Sequence, residues 1–237
     1  MKPIVLIPAR MASTRLPGKP LADIAGKPMI VRVWEQAVAA EVGPVVVAAA
    51  EREIAATIEA AGGRAVMTAP DLPSGSDRIF AALQAVGGGH DVVVNLQGDL
   101  PALDPSYVRG VIAALPGHDI ATLAAEIDDP TDFDNPNVVK PAIAWTSATL
   151  GRALYFSRAR IPHGAGALFH HVGIYAYTRD ALARFVALPP SPLEGREKLE
   201  QLRALEAGMT IAVARVDKVP LSVDTPEDLE RAKAWFA

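Results

Sequence analysis

Cysteine is absent from the 237 residues of the sequence. Its absence excludes disulfides, thiolate zinc sites and a cysteine nucleophile, and it suits a reducing cytoplasm. No apolar run reaches the roughly 18 residues that a membrane-spanning helix requires. The opening run, 4–7, is cut off by Pro8, which is too early for a secretory signal peptide. A formal net charge of −4 gives no general attraction for nucleic acid or anionic lipid. We therefore expect a soluble cytoplasmic protein that binds neither nucleic acid nor membrane.

Hydrophobic residues are plentiful, at 50% of the chain, and in the first half they come in short runs. Continuous apolar runs between amphipathic stretches are typical of parallel strands that are buried on both faces. The runs predict strands at 4–7, 45–48, 64–67 and 91–95, and the stretches between them predict helices at 29–38, 51–61 and 77–86. This alternation favours an α/β fold, a Rossmann-like three-layer sandwich with a mostly parallel sheet.

The second half predicts a mixed arrangement. Strands are expected at 120–126, 138–144, 170–177 and 210–216, and helices at 179–187, 194–207 and 225–236. Pro141 cannot donate a ladder hydrogen bond, so its strand is expected to be short, bulged or at an edge. Charged residues recur at helical spacing through 194–206, which indicates a solvated helix face. We interpret 146–166, which has no clear period, as a lid or partner-binding excursion within a single domain spanning 1–237.

A basic loop follows the first predicted strand. It contains Arg10, Arg15 and Lys19, with the hydroxyl of Ser13 and with Gly18. Ligands of parallel sheets bind beyond the carboxyl ends of the strands, so the loop lies where a site is expected. Arginine grips phosphate oxygens as a fork, whereas lysine supplies a compact charge. The loop is neither a Walker A nor a GxGxxG pattern. It therefore indicates a phosphate-binding loop, with an ordinary solvated basic loop as the alternative.

Two aspartates supply the opposite charge. Asp99 closes the strand at 91–95, and Asp224 precedes the last predicted helix. Carboxylate oxygens are usual ligands of the Mg²⁺ that neutralises a nucleoside triphosphate. Each residue also has a structural interpretation, Asp99 as a turn residue and Asp224 as the N-cap of the helix.

Taken together, the motifs resemble the 3-deoxy-manno-octulosonate cytidylyltransferase family, also called CMP-Kdo synthetases, over essentially the whole chain. The segments that carry the resemblance are 7–20 (IPARMASTRLPGKP), 74–78 (SGSDR), 95–99 (NLQGD), 154–158 (LYFSR), 171–175 (HVGIY), 190–194 (PSPLE) with Glu197, 199–203 (LEQLR) and 223–229 (VDTPEDL). The first segment is shared widely among sugar nucleotidyltransferases, whereas LYFSR, HVGIY and PSPLE are more specific.

The resemblance implies a nucleotidyltransferase fold with a small dimerisation excursion, a homodimer, and CTP and 3-deoxy-manno-octulosonate (Kdo) as substrates with Mg²⁺. CMP-Kdo, formed with release of pyrophosphate, would serve lipopolysaccharide synthesis. By motif match, Lys19, Arg15, Asp99 and Asp224 carry catalysis, the two aspartates as Mg²⁺ ligands. The positions implied for substrate binding are Arg10, Ser13, Ser74, Arg78 and Gln97 near the nucleotide, and Arg158, His171, Tyr175, Glu200 and Gln201 near the sugar.

The chain also departs from the family pattern. Leu100 stands where an acidic residue is usual, Ala49 and Ala50 stand where a Thr-Asp pair is usual, and the stretch at 161–169 is short. None of these departures removes a residue expected to bind the metal or the triphosphate, but they leave undecided which sugar is accepted and how the lid is built. Two alternatives therefore remain: a cytidylyltransferase for another acidic sugar, such as 8-amino-Kdo or a sialic acid, and a non-catalytic nucleotide-binding regulator.

Overall fold

The computed structural model describes residues 1–13 and 15–236, which form two compact units, 1–109 with 220–236, and 110–219. The strands are β1 (Pro3–Ala9), β2 (Asp23–Ile24), β3 (Lys27–Pro28), β4 (Val45–Ala49), β5 (Arg64–Met67), β6 (Val92–Asn95), β7 (Ile120–Glu126), β8 (Lys140–Trp145), β9 (Leu150–Ser157), β10 (Phe169–Thr178) and β11 (Ile211–Val216). The α-helices are α1 (Met29–Ala39), α2 (Arg52–Ala60), α3 (Gly75–Val86), α4 (Pro105–Ala114), α5 (Arg179–Ala187), α6 (Pro192–Glu197), α7 (Gln201–Glu206) and α8 (Pro226–Phe236). Short 3₁₀ helices occupy Lys19–Leu21 and Pro130–Asp132.

In the first unit four parallel strands lie in the order β5-β4-β1-β6. The four apolar residues at 4–7 of β1 are completely buried, as are Val93 and Val94 of β6. These runs lack polar alternation because both faces of a central parallel strand are covered. The predicted strands and helices of this half are confirmed, whereas the sequence did not predict α4 or the β2–β3 hairpin.

In the second unit the order is β10-β7-β11-β9-β8. β11 runs parallel to β7, and the remaining pairs are antiparallel, so the predicted mixed character is confirmed. β8 is the last strand of this order, and its register shifts between Ala142 and Ile143, directly after Pro141. Pro141 therefore has the edge setting that its missing N–H predicts, whereas the residue skipped at the shift, Leu154, belongs to β9.

The structure corrects two features of the sequence interpretation. The aperiodic stretch at 146–166 contains β9, which pairs with both β8 and β11. Its buried positions include Gly151, where a Cβ would lie 2.7 Å from Ile143 Cγ2. The close approach requires glycine, and glycine removes the apolar signal that marks a strand.

The single helix expected at 194–207 is two helices, α6 and α7. They are separated at Lys198, which has a left-handed backbone with φ of 57°. That conformation ends a helix, and no glycine marks it in the sequence. Among the described residues, no helix is long and apolar enough to cross a membrane.

Candidate active site

The basic loop begins where β1 ends and is held at both ends. The amide of Met11 donates to Glu51 Oε2 at 2.9 Å, and the amide of Gly18 donates to Met11 O at 3.3 Å. Gly18 has φ of 71°, which a side chain would strain, and it caps the 3₁₀ turn that starts at Lys19. The Ser13 hydroxyl accepts from the amide of Leu16 at 3.3 Å. The fold of the loop therefore fixes the position of Lys19.

The loop borders a cavity of about 360 Å³, which is lined by most of the residues predicted to bind the nucleotide. Those at its lining are Arg10, Ser13, Arg15, Lys19, Ser74, Arg78, Gln97 and Asp99. Gly98 also lines it, and a Cβ there would lie 3.0 Å from Pro8 O, a tight contact that favours glycine where the loop after β6 passes β1. The volume lies in the range usual for small-molecule sites.

Lys19 is the centre of the charged cluster. Its Nζ lies 2.9 Å from Asp99 Oδ2 and 3.0 Å from Asp224 Oδ1, while Arg15 Nη2 lies 3.1 Å from the same Asp224 oxygen. Burial by itself lowers the pKa of Lys19, but the charges and hydrogen bonds of Asp99 and Asp224 outweigh burial and hold the pKa above its usual value. Lys19 is therefore a cation throughout the physiological pH range.

Asp99 and Asp224 are brought together by the backbone. The amide of Val223 donates to Asp99 O at 2.9 Å, which joins the segment before α8 to the end of β6. The N-cap of α8 is Thr225, whose hydroxyl accepts from the amide of Asp228. In return Asp228 Oδ2 accepts from the amides of Asp224 and Thr225 at 3.0 Å each. The capping interpretation of Asp224 is therefore wrong, and its carboxylate is available to the site.

The donor set of this cluster fits a divalent metal of the Mg²⁺ type. Two carboxylates converge on one point, and Mg²⁺ is usually held by one or two carboxylates together with substrate phosphates and water. Among residues 1–13 and 15–236, no group of three His, Cys, Asp or Glu side chains could hold a metal without such a partner. The ammonium of Lys19 lies between the two carboxylates.

Ser74 and Arg78 shape the opposite wall. Ser74 is the N-cap of α3, since its hydroxyl accepts from the Asp77 amide at 3.1 Å and donates to Asp77 Oδ2 at 2.7 Å. The positive end of the α3 dipole therefore lies at the cavity, an arrangement that favours phosphate. Arg78 is buried and donates to Thr68 Oγ1, Ala69 O and Pro70 O. Burial, then repulsion from Arg10, lowers its pKa.

The predicted sugar-side residues all belong to the second unit. Arg158 follows β9, and each nitrogen of its guanidinium donates to a backbone carbonyl: Nε to Glu197 O at 2.8 Å, Nη1 to Pro136 O at 2.9 Å and Nη2 to Lys198 O at 3.4 Å. Glu197 in turn accepts from the Arg158 amide and from Ser157 Oγ. Arg158 thus anchors the turn between α6 and α7, and only the second N–H of each Nη is left for a ligand.

His171 and Tyr175 lie on β10, with ring centroids 5.4 Å apart. Burial, with the charge of His170, lowers the pKa of His171 to about 3. Burial, with the charges of Tyr177 and Glu200, raises the pKa of Tyr175 well above its usual value. Both rings are therefore neutral near pH 7 and can act there as hydrogen-bonding groups.

Glu200 and Gln201 stand at the start of α7, directly after the turn that Arg158 anchors. Gln201 is buried, and Glu200 is 3.9 Å from Arg203. Arg203 makes a two-pronged pair with Glu194, at 2.9 and 2.6 Å, and both side chains are largely buried. Glu194 and Arg203 therefore tie α6 to α7, and Glu197 binds the end of β9, so the solvated-face interpretation is wrong for these three residues, whereas Glu206 is exposed.

Sequence reasoning missed two residues that support the predicted ones. Glu51 holds the start of the basic loop, and Thr122 contacts His171 Nε2 at 2.9 Å. Neither carries a motif signal, because each acts through contacts that are distant along the chain. Two of the departures from the family pattern lie at buried positions. Leu100 is 6% exposed, and Ala49 and Ala50 are buried as well, so these positions are part of the core.

Known proteins resemble the chain over its whole length. Residues 4–211 match the family described as cytidylyltransferase. The 3-deoxy-manno-octulosonate cytidylyltransferase of Parvibaculum lavamentivorans is 64% identical, covering 99% of this chain and 93% of its own. That of Methylobacterium radiotolerans is 63% identical, covering 98% and 96%.

A solved structure of a CMP:2-keto-3-deoxy-manno-octonic acid synthetase in complex with CTP superposes with a TM-score of 0.93. It is 39% identical, and the match covers 100% of this chain and 98% of that one. The predicted α/β nucleotidyltransferase fold is thereby confirmed. Because the matches span nearly the entire chain at such identity, the chain belongs to the cytidylyltransferase family, among the 3-deoxy-manno-octulosonate cytidylyltransferases.

Proposed function

We propose that the protein transfers CMP from CTP to 3-deoxy-manno-octulosonate, giving CMP-Kdo and pyrophosphate. The observation that carries the proposal is the 64% identity, over 99% of the chain, to a relative that bears this name. The cavity of the first unit supports it independently, since a basic loop, a helix N-terminus and two carboxylates surround one space. The presence of Lys19, Asp99 and Asp224 together in one cluster speaks against a non-catalytic regulator.

The triphosphate would be held by the basic loop. Arg10 and Arg15 offer forked donors for phosphate oxygens, and the first turn of α3 offers backbone amides and a positive dipole. Lys19 would supply a compact charge to the reacting phosphate. A charge placed at the position where negative charge develops stabilises the transition state more than the bound substrate.

Asp99 and Asp224 would hold Mg²⁺, which when bound neutralises the triphosphate and polarises the phosphorus under attack. As the nucleotide enters, its phosphates offer Lys19 and Arg15 an alternative to the carboxylates. The two aspartates are then available for the metal.

The sugar hydroxyl would attack the α-phosphorus in line, the bond to pyrophosphate would break, and the hydroxyl proton would pass to solvent. His171 is too weak a base to take the proton, given a pKa of about 3. We therefore assign His171, Tyr175, Glu200 and Gln201 to orientation of the sugar. The remaining N–H groups of Arg158 would serve the sugar carboxylate.

The homodimer and the cytoplasmic location are also proposals. The cytoplasmic location rests on the absence of cysteine, and the dimer rests on the family resemblance. Light scattering on the purified protein tests the dimer: a mass of twice the 25.0 kDa chain supports it, and a monomer at working concentration contradicts it.

Pyrophosphate release from CTP, with and without an acidic sugar, tests the function. We expect release only with Mg²⁺ and Kdo together. A panel of Kdo, 8-amino-Kdo and sialic acid distinguishes the sugars. A preference for another sugar would change the proposed substrate but not the proposed reaction. No release with any sugar, by a protein that binds CTP, would overturn the proposal.

A further inference from the structure

A β-bulge lies where β10 passes β7. The pairing runs from Val172 opposite Leu123 to Tyr175 opposite Thr122, so that Gly173 and Ile174 have no partner across the ladder. An irregularity of this kind leaves backbone carbonyls without their ladder donors. Two carbonyls at this bulge, Ile174 O at 2.8 Å and Val172 O at 3.2 Å, accept from Thr122 Oγ1.

Thr122 is completely buried, and its hydroxyl also contacts the imidazole of His171, with 2.9 Å between Oγ1 and Nε2. A hydroxyl has one proton to donate and two lone pairs. Carbonyl oxygens can only accept, so the proton belongs to the bulge, with Ile174 O as the nearer acceptor. The contact with His171 is then a hydrogen bond only if Nε2 carries the proton and Oγ1 accepts.

We propose that Thr122 is a positioning residue that holds His171 as the neutral Nε2–H tautomer and so leaves Nδ1 as a hydrogen-bond acceptor for a substrate hydroxyl. The acceptor role rests on the proposed function, whereas the tautomer does not. The bulge and the His171 ring are thus coupled, because the hydroxyl that donates to the carbonyls of the bulge also determines the tautomer of the ring.

The surroundings of the ring keep it in this orientation. The His171 amide donates to Val139 O at 2.9 Å, Phe156 meets the ring edge-on at 5.0 Å, and Tyr175 flanks it at 5.4 Å. The titratable groups nearby are His170 on the same strand, Tyr175, and Glu200, whose charge acts on Tyr175. The lowered pKa of His171 agrees with a neutral ring, and a neutral ring is required for Nδ1 to accept.

Imidazole ¹⁵N spectroscopy of the full-length protein tests the tautomer directly. With ¹⁵N-histidine, and His171→Asn to assign the signals, we expect a protonated Nε2 and an unprotonated Nδ1 in the wild type at pH 7. Thr122→Ser keeps the hydroxyl and should keep this pattern. Thr122→Val removes the hydroxyl and should give averaged or reversed shifts. Thr146→Val, at an exposed turn of the same unit, is the matched control and should leave the spectrum unchanged.

Kinetics provide the second measurement. Loss of one neutral hydrogen bond corresponds to about a threefold to tenfold change in KM. We expect Thr122→Val to raise the KM for Kdo by that factor with the KM for CTP unchanged, and Thr122→Ser to restore it.

A proton on Nδ1 in the wild type would overturn the proposal, whether or not Thr122→Val folds. So would a Thr122→Val spectrum identical to the wild type. If the spectra are as expected but no sugar is a substrate, the proposed function fails and the tautomer assignment stands.

Discussion

Lys19→Met tests the charge arrangement of the Lys19, Asp99 and Asp224 cluster. Both carboxylates approach Lys19 Nζ within 3.0 Å, so they are no more than about 6 Å apart, and two such charges repel by about 3 kcal/mol at an effective dielectric constant of about 20. Asp224 is partly exposed, Arg15 still faces it, and removal of Lys19 also removes the cost of burying an ammonium. These effects reduce the expected loss of stability to about 1–2 kcal/mol.

For a chain of this length, such a loss corresponds to a fall in Tm of about 3–6 °C. Thermal and urea unfolding in EDTA measure it. Mg²⁺ without nucleotide should then stabilise Lys19→Met more than the wild type, because the metal takes the place that the ammonium leaves. In single turnovers the variant should lose reaction rate by a larger factor than CTP affinity.

The controls separate repulsion from lost packing. Adding Asp224→Asn to Lys19→Met removes one of the two negative charges that repel each other, and it should recover most of the stability. Lys27→Met breaks an exposed pair with Glu35 and should change stability by less than about 0.5 kcal/mol. A Lys19→Met protein as stable as the wild type in EDTA, with no greater response to Mg²⁺, would refute the reasoning.

Three further outcomes are expected. Asp99→Asn and Asp224→Asn should each lower turnover by about 10²-fold or more with folding nearly intact, and normal turnover at limiting Mg²⁺ would contradict the ligand assignment. Arg158→Lys should raise the KM for Kdo and leave CTP affinity unchanged, since lysine cannot form a fork; unchanged Kdo kinetics would make Arg158 an anchor only. The pKa of His171 falls to about 3 on folding, so the unfolded chain binds the extra proton first, and stability should decline as pH falls from about 6.5 towards 3. As the pH falls across this range, the urea midpoint should decline less for His171→Asn than for the wild type, and His163→Gln should behave as the wild type does. An equal pH dependence of the midpoint in all three proteins would contradict the role assigned to His171.

Local patterns in the sequence determined the regular elements of the first unit and the kinds of residue in its site. Buried parallel strands appear in the sequence as continuous apolar runs, and the left-handed backbone before Lys19 is indicated by a glycine, Gly18. The basic loop and the two aspartates could therefore be found without coordinates, because charge and position after a strand are both readable.

What the tertiary structure alone decided are the pairings between distant residues. Lys19 lies between Asp99 and Asp224, which are far apart along the chain, and a backbone hydrogen bond from Val223 to Asp99 joins the two segments that carry these aspartates. Likewise β9 escaped detection because two of its buried positions are the small residues Gly151 and Ala153, and β8 leaves no room for a side chain at Gly151. The contact of Thr122 with His171 depends on a register shift between two strands, and the spacing of residues along the chain carries no record of register.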